Sequence, residues 1–426
     1  MSLPLFPRPG LRTRGLNALS RPSICVHACL VGTLLVGATS VLAADDDSRV
    51  THAHEHGHAE HDDVERILIT ASPLEHGHDD LALPVTYLDR EDLADQLGST
   101  VGETLSRQPG ITTSGFARGA SRPVIRGQDS FRVRILEDGL SVGDVSDLSV
   151  DHGVPSNPLL AERIEVLRGP ATLRYGGGAI GGVVNTITDR IPNRLGEAPV
   201  VGTAFSGYDS ATGGRDFAVK LNATKSNIVW HFDGLFRESD DYDIPGQPDE
   251  QDNTAAQAAT VSGAASWIGE RGHVGVAVGR IDNEYGIPAP EDPNDPVSIE
   301  MEQGRYEIDA SWAPASSFFE ELRLRSVYSD YRHEEVTRLE GTAAVFDNEE
   351  WEGRAEALHG KVLGSVAGAI GLHWRTQELV AGGEAAELLD PTETDTAALY
   401  LFEEIPLGSL FSLQVGARAE HTEVSG

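Results

Sequence analysis

Residues 164–188 read IEVLRGPATLRYGGGAIGGVVNTIT, and this stretch decides the fold of the chain. A short apolar segment ending at Leu167 leads into a glycine cluster, and a β-branched segment beginning at Val183 follows the cluster. Glycine permits positive φ angles and close backbone approach, whereas valine, isoleucine and threonine favour strands. The pattern therefore predicts a strand, a set of tight turns and a second strand.

A second block, residues 122–144, reads RPVIRGQDSFRVRILEDGLSVGD. In order and spacing, the two blocks closely resemble the plug domain of the TonB-dependent outer-membrane receptors. The resemblance implies an α/β plug followed by an antiparallel transmembrane β-barrel of 22 strands. It implies structural roles in the plug for Arg126, Gly127, Arg168, Gly169, Gly181 and Gly182. The arginines Arg126 and Arg168 are expected to pair with carboxylates of the barrel lumen.

Residues 1–44 have the composition of an export signal. Four arginines and no acidic residue precede an apolar run that ends at Ala43. We predict a secretory signal peptide cut after Ala43 or Ala44, because small residues close the run and acidic residues follow it; a membrane anchor is the alternative. Both cysteines, Cys25 and Cys29, lie in this segment, so the mature chain is predicted to have no disulfide and no thiolate metal site.

The chain is strongly acidic, with 33 lysines and arginines against 67 aspartates and glutamates and a formal net charge of -34. This charge argues against nucleic acid as a partner. No apolar run long enough for a membrane helix follows the signal peptide. The sequence contains no nucleophile elbow and no HExxH, and GGGAIGG lacks the spacing of a dinucleotide site, so we predict no enzyme.

Residues 45–80 are polar and rich in histidine, which predicts a disordered tail. Clustered imidazoles with carboxylates suit zinc, and to a degree nickel and copper, so we predict that the tail collects metal on the periplasmic side. A solvated linker is the alternative. The predicted ligands in the tail are His52, His54, His56, His58, His61, His76 and His78.

The tail also contains a short β-prone segment. Its position ahead of the plug resembles that of the TonB box, which the energy-coupling protein TonB captures as an added strand. The family box usually has valines, so the aliphatic residues here are conservative departures. The predicted box consists of Glu65, Arg66, Ile67, Leu68, Ile69, Thr70 and Ala71.

Residues 81–195 are predicted to form the plug, with a capped helix after Asp89 and a hairpin turn at Asp138. From residue 200 to 426 the sequence alternates apolar and polar residues in about 11 strands of roughly 9 to 15 residues. The fold class is thus mainly β, an α/β plug followed by an incomplete barrel of about 11 of 22 strands. We expect a truncated barrel or a second piece that completes it. Long acidic loops are predicted at 240–253, 283–302 and 332–350.

A plug segment with the sequence GDVSDLSVDHG, residues 143–153, places acidic residues beside an imidazole. It looks like the corresponding loop in the zinc-uptake branch of the family. Asp147, Asp151 and His152 are the predicted metal ligands, with turn caps and plug–barrel hydrogen bonds as the alternative. Because ligation requires neutral imidazole, such a site weakens as pH falls through about 6.5. Residues 283–292 and 333–335 are weaker candidates.

We predict a TonB-dependent receptor in the outer membrane of a Gram-negative bacterium that takes up a transition metal, zinc above all. Its partners are TonB with the inner-membrane energising complex, outer-membrane lipid and the metal, which is substrate rather than cofactor. Two alternatives stay open: a receptor for a siderophore or other metal chelate, and a periplasmic metal-binding remnant that transports nothing.

Overall fold

The computed structural model describes residues 68–69, 76–77, 85–176, 178–246, 248–288, 294–315, 318–339, 341–362, 366–408 and 411–426. The predicted signal peptide, most of the histidine tail and most of the predicted TonB box lie outside these residues. Across the described ranges, no helix is both long enough and apolar enough to cross a membrane.

The first part of the described chain is a small α/β unit. Its elements are β1 (Leu68–Ile69), β2 (His76–Gly77), β3 (Val85–Leu88), α1 (Arg90–Gln96), α2 (Val101–Leu105), β4 (Ile111–Thr113), β5 (Pro123–Ile125), β6 (Val133–Glu137), β7 (Leu140–Ser141), β8 (Arg163–Leu167) and β9 (Gly182–Ile187). Five of the strands form a sheet of the order β3-β8-β9-β6-β7, in which β6 and β9 are parallel. Strands β4 and β5 form a separate ladder, and so do β1 and β2.

Local sequence explains these elements. Asp89 caps α1 by accepting hydrogen bonds from two backbone N–H groups of the first turn, and Thr100 caps α2 in the same way. Asp138 and Gly139 have positive φ angles of 50° and 84°, which make the tight β6–β7 hairpin. The predicted helix after Asp89 and the predicted hairpin are confirmed. The predicted strand, turn and strand of residues 164–188 are confirmed as β8, a 3₁₀ segment and β9.

The second part is one large antiparallel sheet of 11 strands, each paired with its neighbour in the chain. The predicted strand number is confirmed. A small hairpin, β13 (Tyr242–Asp243) with β14 (Glu250–Gln251), lies outside this sheet. The strands of the sheet are β10 (Val200–Asp209), β11 (Gly214–Lys225), β12 (Ile228–Ser239), β15 (Ala256–Gly269), β16 (Gly272–Gly286), β17 (Val297–Trp312), β18 (Phe319–Thr337), β19 (Gly341–Val362), β20 (Val366–Gly383), β21 (Thr392–Pro406) and β22 (Ser412–Ser425).

The two faces of this sheet have opposite character. Val274, Val276 and Val278 of β16 are about half exposed on the outer face, as the alternation predicts. The inner face, which contacts the α/β unit, buries charged side chains such as Glu352 and Arg354 of β19. An apolar exposed face and a polar interior are the reverse of a soluble fold, and they match a lipid-facing wall around a polar lumen.

Two of the three predicted long loops are shorter in the structure than the sequence predicts. Strand β16 ends at Gly286 and β17 begins at Val297, so half of 283–302 is strand, and because β18 continues to Thr337 and β19 begins at Gly341, most of 332–350 is strand. The strands also reach 22 residues, well beyond the predicted length. The physical reason is visible in β17, where buried Ile299 and Met301 alternate with exposed Glu300. The inner face stays packed although the outer face has become acidic.

The β6–β7 hairpin and the residues directly after it are hydrogen-bonded to the inner face of the sheet. Gln303 donates to the carbonyl oxygen of Val142 at 2.8 Å, and Arg354 donates to that of Gly139 at 2.9 Å. The backbone N–H of Ser141 donates to Glu352 at 2.8 Å. These contacts fix the position of the segment that follows the hairpin, residues 142–157, against the sheet wall.

Candidate metal centre

The segment after β7 brings His152 against the inner face of β18, beside His333 and Glu335. One donor atom from each of these three residues lies within 4.8 Å of the others. The ring centroids of His152 and His333 are 4.3 Å apart. The two histidines are 2% and 0% exposed, whereas the side chain of Glu335 is 26% exposed. The three side chains thus form a compact donor group with buried imidazoles and an accessible carboxylate.

Each imidazole of the group uses its Nδ1 for a contact outside the group. His152 Nδ1 donates to the carbonyl oxygen of Val145 at 3.0 Å, so its Nε2 bears the lone pair when the ring is neutral. His333 Nδ1 lies 3.2 Å from the hydroxyl of Tyr331, and its buried Nε2 has no hydrogen-bond partner within the described residues. A buried, unpartnered nitrogen is costly unless a ligand satisfies it, and metal-binding histidines are oriented through their other nitrogen in this way.

Three other histidines of the sheet, His231, His273 and His373, differ from this pair. Each has a hydrogen-bond partner at both ring nitrogens, at distances of 2.8 to 3.0 Å. Their partners are other side chains of the same sheet, so these rings stabilise the sheet. They offer no lone pair to a cation without losing a hydrogen bond.

The surroundings of His152 favour positive charge. Burial lowers its pKa, but Glu335, the Val145 carbonyl and Asp151 outweigh that effect, and the pKa is raised above its ordinary value. His152 Nε2 lies 3.6 Å from Glu335 and 3.9 Å from Asp151. Phe346 packs against both imidazoles, with ring centroids 4.9 and 5.4 Å away. A cation therefore meets carboxylates on the accessible side and imidazoles behind them.

The structure separates the predicted plug ligands. His152 is in the donor group, and Asp151 lies at its edge with its carboxylate accepting from Ser149. Asp147 is exposed and outside the group; its backbone carbonyl accepts from Ser130. The weaker candidates of residues 333–335 supply the remaining two donors, because alternate residues of a strand share a face.

The tail ligands lie outside the described residues, apart from the backbone of His76. Leu68 and Ile69 of the predicted TonB box form β1, which pairs with β2 in the register Leu68 with Gly77 and Ile69 with His76. These two residues of the predicted box are therefore extended, as expected. Capture by TonB stays a prediction.

The structural plug residues occupy tight positions. Gly127, Gly169 and Gly182 have φ angles of 77°, 68° and 151°, which side-chain-bearing residues rarely adopt. A Cβ at Gly181 would lie 2.6 Å from Gln128, so the close approach expected of the glycine cluster is present.

The ion pairs expected for Arg126 and Arg168 are not found among the described residues. Arg168 donates instead to the hydroxyl of Thr86 at 3.0 Å and to a backbone carbonyl. Other arginines pair with the lumen: Arg134 lies 3.5 Å from Glu352, Arg190 lies 3.4 Å from Glu307, and Arg174 forms a short bidentate pair with Glu356. Arg134 and Arg174 lie in the two sequence blocks that carry the resemblance, and Arg190 follows the second block, but the sequence did not show which arginines point outward from the plug.

The α/β unit, with its glycine-rich turn and its arginines facing the sheet, has a known counterpart. Residues 78–183 match the TonB-dependent Receptor Plug Domain. The plug domain is followed here by a sheet of the kind that surrounds it in solved receptors. This confirms the predicted fold class, a mainly β chain with an α/β plug and an 11-stranded antiparallel sheet.

Relatives of the chain include receptors and transporters. The hemin receptor of Yersinia pestis is 29% identical over 194 residues, 45% of this chain and 27% of that protein. The vitamin B12 transporter BtuB of Photobacterium profundum is 25% identical over 348 residues, 79% of this chain and 53% of that protein. The solved structure of the copper transporter OprC superposes on this chain with a TM-score of 0.66 at 18% identity. The superposition covers 77% of this chain and 52% of the OprC chain. The chain thus spans about half the length of these proteins, or less.

Proposed function

We propose that the chain forms the plug and entry site of a TonB-dependent outer-membrane receptor for a transition-metal cation, with zinc the best-suited ion. The observation that carries the proposal is the donor group of His152, His333 and Glu335, whose donor atoms lie within 4.8 Å of one another. Two imidazoles and a carboxylate are ligands that zinc commonly takes, and they leave a fourth position for water or another donor.

The arrangement of charge supports capture of a free cation. Asp151 and Glu335 are the accessible members of the site, with side chains 24% and 26% exposed. The chain as a whole carries a formal net charge of -34, which raises the local concentration of cations. An arriving ion first meets the carboxylates and then exchanges water for the buried imidazoles.

The rest of the chain supplies the parts that energised uptake needs. The apolar outer face of the sheet suits outer-membrane lipid, and the plug fills the polar interior. TonB would capture residues 65–71 as an added strand and displace the plug, and the seven tail histidines would collect metal on the periplasmic side. The outer membrane of a Gram-negative bacterium is the location this proposal requires.

A metal chelate is the second candidate, because the relatives include proteins named for hemin and vitamin B12. The geometry of the site favours the bare ion. Imidazoles that are 2% and 0% exposed, with Phe346 packed against both, leave no room for a porphyrin or a siderophore at the donor nitrogens. A chelate would have to bind elsewhere on the receptor.

The test is a zinc titration of the full chain in detergent micelles, in competition with a chromogenic chelator. The seven tail histidines are replaced by asparagine in every sample, so that only the centre is measured. We expect one zinc ion, and His333→Ala should weaken binding by more than the roughly 10–100-fold that loss of an outer-shell partner costs. His421→Ala, at an exposed position of β22, is the control and should change nothing.

Absence of zinc binding by the parent chain, or equal binding by His333→Ala, would contradict the proposal. Binding of a ferric siderophore in place of zinc would favour the chelate receptor.

A further inference from the structure

Tyr285, near the end of β16, holds the backbone on both sides of His152. Its hydroxyl accepts a hydrogen bond from the N–H of Gly153 at 2.7 Å and donates one to the carbonyl oxygen of Asp151 at 2.8 Å. Tyr285 is 2% exposed, so water does not compete for these bonds. A side chain of the sheet therefore fixes both peptide groups that flank a histidine of the plug.

The ring of Tyr285 has no freedom to move the hydroxyl elsewhere. A Cβ at Gly119 would lie only 2.2 Å from the Tyr285 ring, so that plug segment lies directly on the ring. A Cβ at Gly153 would lie 2.6 Å from the carbonyl oxygen of Gly119 and 3.2 Å from the Tyr285 hydroxyl. Ala120 and Ile299 complete a small buried cluster with the ring. Plug and sheet thus close around the tyrosine.

We propose that Tyr285 is a positioning residue of the metal centre, which keeps the plug ligand His152 in place against the sheet ligands His333 and Glu335. This inference rests on the proposed function and deepens it. Tyr285 fixes where the backbone of residue 152 lies, while the hydrogen bond from His152 Nδ1 to Val145 fixes how the ring is turned. Together the two restraints aim Nε2 at the other donors.

The centre needs such a restraint because its ligands come from two different parts of the fold. His333 and Glu335 stand on a long strand and are paired with both neighbouring strands, but His152 lies between β7 and β8 in a segment without helix or strand of its own, apart from a short 3₁₀ turn after it. Ordering an irregular segment at the moment of binding costs conformational entropy and weakens affinity. Ligands held beforehand by outer hydrogen bonds avoid that cost.

If Tyr285 positions His152, zinc binding should depend on the hydroxyl of Tyr285 and not only on its ring. If the residue only filled space between plug and sheet, phenylalanine would serve equally well. The buried hydroxyl of tyrosine would then only cost free energy. Here the hydroxyl is satisfied twice, and both partners are backbone atoms of residues adjacent to the ligand. The side chain of Asp151 takes no part in these contacts.

The experiment compares Tyr285→Phe with the parent in the full chain whose tail histidines are asparagine, in detergent micelles. Zinc affinity should fall about tenfold, as for loss of an outer-shell partner. The visible absorption of bound Co²⁺, which reports ligand geometry, should change in position and intensity. Hydrogen exchange of the peptide containing Gly153 should become faster. Tyr328→Phe is the matched control, because its hydroxyl donates to Glu349 on the outer face at 3.0 Å, and it should leave all three measurements unchanged.

The possible failures are distinguishable. If the parent binds zinc and Tyr285→Phe binds it with the same affinity and the same Co²⁺ spectrum, the positioning role is overturned and the metal centre stands. A variant with a lower unfolding temperature but an unchanged spectrum in its folded fraction overturns it equally, because that is the result expected of a purely structural residue. If the parent binds neither ion, the metal centre and the role of Tyr285 fall together.

Discussion

The ring centroids of His152, on the plug, and His333, on β18 of the sheet, lie 4.3 Å apart, and Nε2 of His333 has no hydrogen-bond partner among the described residues. An unpaired, buried imidazole nitrogen is unusual beside a second histidine, since the other described histidines of the inner face have partners at both ring nitrogens. Ligand binding is the simplest use of the pair, and the neighbouring carboxylate of Glu335 determines which ions are suited to it.

The first prediction concerns that carboxylate. Glu335→Gln replaces a charged ligand by a neutral amide, which suits zinc poorly, so we expect zinc affinity to fall by about tenfold or more. Glu334→Gln is a matched control one residue away, since Glu334 pairs with Arg332 rather than with the centre. Competition titration measures both. Equal affinities for the two variants would exclude Glu335 as a ligand.

The second prediction concerns a buried ion pair between the plug and the 11-stranded sheet. Glu356 pairs with Arg174 in a site where their side chains are 5% and 11% exposed. Glu356→Leu leaves the arginine buried without its partner, and we expect a loss of about 3–5 kcal/mol in the free energy of unfolding. The double variant with Arg174→Met should recover much of this loss. Denaturant unfolding of the full chain in micelles measures it.

The exposed pair Arg215 and Glu238 is the control for that experiment, with side chains 72% and 45% exposed. Glu238→Gln should cost about 1 kcal/mol or less, because solvent screens the pair. A loss as large as that of Glu356→Leu would show that burial does not decide the effect.

The third prediction concerns pH. Burial raises the pKa of Asp138 to about 6, with the carboxylates of Glu307 and Glu137 adding to the effect against hydrogen bonds from Thr188. The folded state therefore binds this proton more tightly than the unfolded state, whose pKa is about 3.9. The stability from this group is fully present below about pH 4 and is lost as pH rises through about 6.

Asp138→Asn removes that dependence, because an amide does not titrate and asparagine tolerates the positive φ of this turn. Relative to the parent, the variant should gain about 1–3 kcal/mol between pH 4 and pH 7. Unfolding curves at several pH values test this. A difference from the parent that does not change with pH would contradict the prediction.

The fourth prediction separates two reasons for glycine. Gly127 has a φ of 77° with no atom within 4 Å of an added Cβ, so Gly127→Ala should cost only the backbone strain of about 1–2 kcal/mol. Gly119→Ala would place its methyl group 2.2 Å from the ring of Tyr285. It should destabilise the chain more and also weaken zinc binding, because the ring must move. Zinc affinity close to that of the parent would contradict the coupling.

Much of this fold could be predicted from the sequence because local patterns specify it. Glycines and β-branched residues marked β8 and β9, and strict alternation such as that of Val274 and Val276 marked the strands of the wall. The strand ends were not predictable in the same way, since Glu300 and its neighbours make the outer face polar while the inner face continues to pack. Acidic strand and acidic loop have the same composition.

The centre was only half predictable for a different reason. His152 stands out locally among carboxylates, and the segment with His333 and Glu335 stands out by itself, but strand register and the placement of the plug bring them together. Tyr285 lies in the weaker candidate segment 283–292, but its positioning role could not be predicted there, because it acts through backbone atoms, which every sequence possesses. Which arginines face the lumen likewise depends on the orientation of the plug, which the sequence does not show.

The divided origin of the ligands has a thermodynamic consequence. An ion bound by His152, His333 and Glu335 would connect the plug to the sheet. Its binding free energy would therefore also stabilise the attachment of the plug to the sheet. At an ion concentration of 100 times Kd, this adds about 2.7 kcal/mol to the attachment of the plug. By the same linkage, a force that draws His152 away from the sheet lowers the affinity for the ion, and mechanical work done on the plug becomes release of the ion.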